Sequence, residues 1–377
     1  MKHILTATIL ALLPLCAVAE EKSPTAETAK KPAKQRIEVC FVLDTTGSMG
    51  GLIAGAKAKI WSMANDIISA KPTPEVRFAL IGYRDRGDDY VTKITPLTDD
   101  LDAVYAELNK FQAGGGGDGP ESVGRALDES VKKIEWTKDS AVLKIIYLVG
   151  DAPPHFYDDE PDWKKVCVDA VKRDLIINAV QCGGDRETTR VWKEIADRSE
   201  GSFFAIPQDG GVVAIAAPQD KELSALSEKI GGTMIAFGDA STRRFVAGKQ
   251  ALAETAAPAA AAARLSFNSK SGKTVQGTGE LLDAIAEKKV TLDEVKKDEL
   301  PEELRKLSSD ELKAHVEKKQ TERAELQKRI TELSKARDAY IDAERKKLAT
   351  AGKGDGFDEK VSESLRAQAK KKGIRYE

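Results

Sequence analysis

Between residues 36 and 207 short apolar runs alternate with stretches of helical periodicity, and this alternation restricts the fold more than any other feature of the chain. The apolar runs are IEVCFVL (37–43), VRFALIGY (76–83), YVTKITPL (90–97), LKIIYLVG (143–150), LIINAVQC (175–182) and SFFAI (202–206). Helical patterns run from Leu52 to Ser69, Leu101 to Phe111, Ser122 to Ile134, Trp163 to Lys172 and Thr188 to Arg198. Short continuous apolar runs suit strands buried on both faces, and helices between them supply the crossovers that parallel pairing needs. The expected fold is α/β, a doubly wound, mostly parallel sheet with helices on both faces, with a helical region added at the C-terminus.

Outside this block the chain changes character. The first 19 residues, MKHILTATILALLPLCAVA, have a basic start, an apolar stretch and a small-x-small ending, which reads as a secretory signal cleaved near Ala19. Residues 20–35 are charged, contain proline and lack periodicity, as a flexible linker does. The mature chain is therefore expected to be secreted or periplasmic. No later segment approaches the run of about 18 apolar residues that spans a membrane. With 59 basic and 61 acidic residues the formal charge is -2, which gives no broad electrostatic reason to seek nucleic acid. Cleavage leaves Cys40, Cys167 and Cys182, an odd number, so no disulfide framework is implied.

After the alternating block, residues 208–245 read as an extension packing on it. Their stretch LSEKIGGTMIAF (226–237) echoes IADRSEGSFFAI (195–206) and is expected to add a strand or cap. Residues 246–280 are Ala-rich and then Gly/Ser-rich, a connector with a helix broken at Pro258. Residues 281–350 form a charged helical region in which SSDE (308–311) makes a capping box. Leu312, Val316, Leu326, Ile330, Leu333 and Tyr340 fall on a heptad-like stripe that Lys319, Arg323 and Arg337 interrupt, which favours a helical hairpin over a self-associating coiled coil. Residues 351–377 read as a loose tail.

The chemistry concentrates in CFVLDTTGSMGG (40–51). In an open parallel sheet ligands gather at the carboxyl ends of the strands, where Asp44 lies, with Thr46 and Ser48 in the loop directly after it. Asp151 ends a second strand, in YLVGDAPPH, expected beside the first. Hydroxyls and carboxylates without His or Cys suit a hard cation, Mg²⁺ above all, with Mn²⁺ or Ca²⁺ as substitutes.

These residues resemble a known family. DTTGSM is similar to the Asp-x-Ser/Thr-x-Ser signature of the von Willebrand factor type A domain, whose metal-ion-dependent adhesion site holds a divalent cation at the top of a doubly wound sheet. The resemblance covers about 36–207 and rests also on GGGGDGPES (114–122) and GDAPPH (150–155). It implies metal ligands at Asp44, Thr46, Ser48 and Asp151. Where the adhesion domains supply a threonine, the nearest candidate is Asp118, a departure that resembles a secreted bacterial subgroup. Three carboxylates around Mg²⁺ would leave about one net negative charge and attract an incoming acid less.

Other motifs carry less. GGGGDG (114–119) follows a helix rather than the strand a dinucleotide loop requires, and SGKT (271–274) lacks the first glycine of a phosphate loop, with Phe267 in its place. RGD (86–88) reads as a polar connection between strands, with Asp85 beside it. After cleavage only His155 and His315 remain, so histidine-based catalysis is not expected. The leading expectation is a non-catalytic, exported binding protein whose Mg²⁺-bearing domain recognises a protein partner through the strand-end face, with metal binding expected more firmly than the adhesion mode in which a partner's acidic side chain completes the coordination. The alternatives are a metal-dependent hydrolase or phosphotransferase, or a scaffold in which the metal is structural.

Overall fold

The computed structural model describes residues 35–117, 119–211, 215–351 and 356–376, so the signal and linker readings, and Asp118, lie outside the described residues. Along the chain run β1 (Arg36–Asp44), α1 (Gly50–Ile68), β2 (Glu75–Tyr83), β3 (Thr92–Thr98), α2 (Leu101–Lys110), α3 (Val123–Lys132), β4 (Leu143–Gly150), α4 (Trp163–Lys172), β5 (Ile176–Cys182), α5 (Arg186–Arg198) and β6 (Phe203–Ile206). The sheet order is β3-β2-β1-β4-β5-β6, parallel throughout except that β3 runs antiparallel to β2. The antiparallel edge follows from the connection: the RGD segment between β2 and β3 is too short for a crossover, so the chain can only turn back.

Alternation along each strand divides the core into two layers. From β1, Val39, Phe41 and Leu43 face α1 and α2, while Cys40 and Val42 face α3, α4 and α5. From β4, Ile145, Tyr147 and Val149 join the first layer, and Ile146 and Leu148 the second. Asp162 caps α4 by accepting from Lys164 N, and Asp185 caps α5 by accepting from Thr188 N. Cys40, Cys167 and Cys182 are buried free thiols.

The C-terminal half follows as α6 (Asp220–Gly231), α7 (Ala240–Thr255), α8 (Pro258–Ser271), α9 (Leu281–Ala286), α10 (Glu302–Arg305), α11 (Ser309–Thr350) and α12 (Gly356–Lys371). The Ala-rich stretch is α8, with Pro258 in its first turn, where a missing N–H costs nothing. Its small residues Ala260 to Ala263 are buried, close enough to α1 for Asn65 Nδ2 to donate to Ala263 O at 2.8 Å. The second copy of the sequence echo gives α6 and then a single bridge between Ala236 and Glu280, a cap outside the sheet.

Two sequence readings need correction. In place of a helical hairpin, α11 is one continuous helix of 42 residues, opened by the Ser308–Glu311 capping box. Arg323 and Arg337, which interrupt its apolar stripe in the sequence, are buried on the packing face: Arg337 Nε donates to Asp220 Oδ1 at 2.6 Å, and Arg323 meets Glu280 and Asp283. The tail is not loose either. α12 seats Val361, Leu365 and Ala369, followed by Ile374, in the same core layer as β1 and α1. The stripe is easily overlooked because Lys370, Lys371 and Lys372 crowd its end.

Candidate metal centre at the ends of β1 and β4

Strand order puts the sheet's reversal point between β1 and β4, where open α/β sheets form a ligand crevice. Asp44 closes β1 there, fully buried. Its Oδ1 accepts from Thr46 N at 2.8 Å and from Thr46 Oγ1 at 2.6 Å, whereas its Oδ2 has no hydrogen-bond partner. Thr46 Oγ1 stands 3.4 Å from Ser48 Oγ. The loop thus gathers one free carboxylate oxygen and two hydroxyls within a single turn.

Asp151 follows β4 and lines the same cleft as Thr46, Ser48, Glu121 and Asp185. Its Oδ2 accepts from Gln208 Nε2 at 2.6 Å, which turns the carboxylate toward β6. The approach of β4 to β1 depends on Gly150. A Cβ at this position would lie 2.4 Å from the Tyr83 hydroxyl and 3.1 Å from Asp44 Oδ2. Only glycine admits so close a passage.

Two groups that the sequence reading did not single out complete the cleft. Arg84 is buried and staples the loops together: Nε donates to Thr45 O at 3.1 Å and Nη2 to Gln112 O at 2.7 Å. Glu121 is 2 % exposed, and its Oε2 has no hydrogen-bond partner. Gly116, at φ 77°, separates it from the first loop: a Cβ there would lie 3.0 Å from Thr46 Cβ and 3.1 Å from Glu121 Oε1. Asp85 is saturated by other partners, accepting from Ser122 Oγ at 2.8 Å and from Tyr157 Oη at 2.6 Å.

Burial sets the electrostatics. It pushes the Asp44 carboxyl up to about 7, with Asp151 adding to the rise and the Thr46 hydrogen bonds opposing it. It pushes Glu121 up to about 9, reinforced by Asp44, Asp85, Asp88 and Asp151. Among the described residues no three His, Cys, Asp or Glu side chains form a ready cage for a metal ion. What the cleft offers is unpartnered oxygen on two buried carboxylates, together with hydroxyls. That donor set fits a hard cation which keeps part of its water shell and does not require a dedicated protein cage.

A pH dependence follows for the chain kept in chelator. Glu121 holds its proton in the folded state between the unfolded carboxyl range near 4.5 and about 9, so the folded protein binds more protons than the unfolded one across that window. Stability is then greatest on the acid side and falls as pH rises. The loss between pH 6 and 8 is expected to be on the order of 2 kcal/mol. Urea denaturation in EDTA at both pH values checks this, and Glu121→Gln should flatten the slope.

Residues 38–208 match the family described as von Willebrand factor A domain. Human von Willebrand factor A domain-containing protein 7 is 38% identical over 114 residues, 30% of this chain and 12% of that protein. The alpha-protein kinase vwkA of Dictyostelium discoideum is 28% identical over 127 residues, 33% of this chain and 19% of that protein. The chain thus aligns with less than a fifth of the length of each of these relatives. Among solved structures, proximal thread matrix protein 1 from the mussel byssus, with a zinc-occupied MIDAS motif, aligns at TM-score 0.37 and 16% identity over 47% of this chain and 43% of its own. The SpRpn10 VWA domain aligns at TM-score 0.36 and 12% identity over 46% of this chain and 89% of its own. Residues 38–208, a little under half of this chain, are thus similar to the von Willebrand factor A domain.

Proposed function

We propose that the chain is an exported, non-catalytic binding protein whose type A domain holds Mg²⁺ at the ends of β1 and β4 and recognises a protein partner across that rim. The observation that carries the reading is Asp44: a fully buried carboxylate with one oxygen tied to Thr46 and the other unpartnered, beside two hydroxyls. Asp44, Thr46 and Ser48 would hold the cation, with Asp151 and Asp118 completing its surroundings directly or through retained waters. The cation supplies a fixed positive charge that orders the three loops and polarises what binds against them.

Features of the rim support a docking role. Phe156, in the loop that follows Asp151, is 79% exposed, and its neighbours His155 and Tyr157 stack at 4.0 Å between ring centroids. An exposed aromatic on a loop held by a rigid sheet is the kind of anchor that interfaces use. The N-terminal signal pattern supports export.

The test is capture of partners from the exported fraction of the source cells with the tagged chain, in Mg²⁺ and in EDTA, with Asp44→Ala alongside. The expected result is a defined partner retained by wild type in Mg²⁺ and lost with chelator or with Asp44→Ala. Retention unaffected by either would remove the cation from recognition. Turnover of a phosphoester that Asp151→Ala abolishes would replace the binding reading with an enzymatic one.

A further inference from the structure

Glu121 is the group in the cleft whose position the fold alone does not explain. Its backbone is clamped to the loop after β4: Glu121 N donates to Pro153 O at 3.0 Å, and Glu121 O accepts from His155 N at 2.7 Å. The clamp fixes the side chain beside the Asp151 loop, while Gly116, without a side chain, leaves room for Oε1 on one side and Thr46 on the other. The carboxylate is thereby driven into the interior with Oε2 unpartnered, facing the acids Asp44, Asp85, Asp88 and Asp151. Burying a carboxylate among other carboxylates is strongly unfavourable unless it stays neutral or a cation meets it. Asp44 Oδ2 is buried and unpartnered as well, Asp44 is near enough to Glu121 to raise its carboxyl, and Glu121 lines the cleft with Thr46, Ser48 and Asp151.

Resting on the cation reading above, we propose that Glu121 is itself a ligand of that cation, supplied by the loop that precedes α3. The centre then draws carboxylate oxygen from the loops after β1 and β4 and from the loop before α3. With Asp44, Glu121 and Asp151 ionised around one divalent ion, directly or through retained waters, these groups bring the net charge to about -1, and Asp118 would make it more negative, so the centre retains the cation without help from a partner's acid. The partner contact accordingly falls to the rim and to neutral oxygens, and a carboxylate handshake is disfavoured.

Calorimetric titration of the full chain with MgCl₂, paired with electron paramagnetic resonance of MnCl₂, tests this on wild type, Asp44→Ala and Glu121→Gln. Wild type is expected to bind, and Asp44→Ala to lose binding. Glu121→Gln should weaken affinity by about tenfold or more, the scale of one lost charge-assisted contact. Its Tm in EDTA should be no lower than wild type, because a neutral amide replaces a buried acid of the same shape. Wild-type binding with Glu121→Gln within about twofold would overturn the role of Glu121 and leave the cation site standing. No binding by wild type would overturn the site itself, and a fall in Tm for Glu121→Gln in EDTA would mark the residue as structural instead.

Discussion

A chain ending at residue 351 is expected to lose its cooperative unfolding transition, although it retains every strand of the sheet and the whole of the cleft. α12 covers the sheet on the side of β4 and β5, where Tyr147 Oη donates to Val361 O at 3.2 Å and Asn178 and Gln368 exchange two amide hydrogen bonds, at 3.1 and 2.7 Å. Val361, Leu365 and Ile374 are almost completely buried, and Ala369 completely. At about 1.5–3 kcal/mol for each large apolar side chain, their removal subtracts an amount comparable with the net stability of a whole domain. It also leaves Asn178 Nδ2 without its acceptor on Gln368 and an apolar sheet face open to water. The segment that follows α12 adds further ties: Lys71 N donates to Arg375 O at 2.9 Å, and Tyr376 Oη donates to Ile67 O at 3.1 Å. Urea denaturation followed by far-UV circular dichroism, with a hydrophobic dye for exposed surface, reads the outcome. A truncated chain with an unchanged midpoint would show that α12 is dispensable. The point variant Leu365→Ala, expected to cost about 2–5 kcal/mol, separates loss of this face from nonspecific effects of truncation.

What the sequence makes legible here is what short-range pattern determines. The sheet follows from apolar runs spaced by helices, and its order from the handedness of parallel crossovers. Asp44, Thr46 and Ser48 meet because they share one turn after one strand, a geometry set within five residues. Asp151 reaches the same cleft through strand order alone. Glu121 is different: it sits between Pro120 and the start of α3, where an acid ordinarily reads as a solvated first-turn residue, and only its pairing with the 153–155 loop drives it inward. α12 is illegible for a related reason. Its apolar stripe is Val361, Leu365 and Ala369 interleaved with Lys, Arg, Glu and Gln, a pattern equally compatible with a solvated helix, and the partner surface lies 190 residues earlier in β5. α11 shows the converse. Charges that break an apolar stripe argue against burial only when no opposite charge awaits them, and for Arg323 and Arg337 the partners stand on other helices or beside them.

Those partners make Arg323 the side chain whose loss should cost the C-terminal half most. The residue is 5 % exposed, and its Nη1 donates to Glu280 Oε2 and Asp283 Oδ1, both at 2.8 Å. Nη2 donates to Glu280 Oε1 at 3.0 Å, and Nε to Thr233 Oγ1 at 3.0 Å. The two acids also order backbone: Glu280 accepts from Ile235 N and Asp283 N, and Asp283 accepts from Thr274 N. One cation therefore ties α11 to α9 and to the segments after α6 and α8. Arg323→Ala leaves two carboxylates buried beside each other, and removing one side of a buried ion pair costs about 3–5 kcal/mol. Burial already pushes the Asp283 carboxyl upward with Glu280 adding to it, while Arg323 pulls it down, so Asp283 should hold its proton more tightly still in the variant. A folded-state carboxyl raised above its unfolded value adds stability at low pH and loses it as pH rises. The cost of Arg323→Ala should accordingly be largest near pH 8 and shrink toward pH 5, as Asp283 becomes neutral. Denaturation midpoints of wild type and variant across that range decide it, and a cost that does not change with pH would mean that the stranded acids find water and that the network is not sealed.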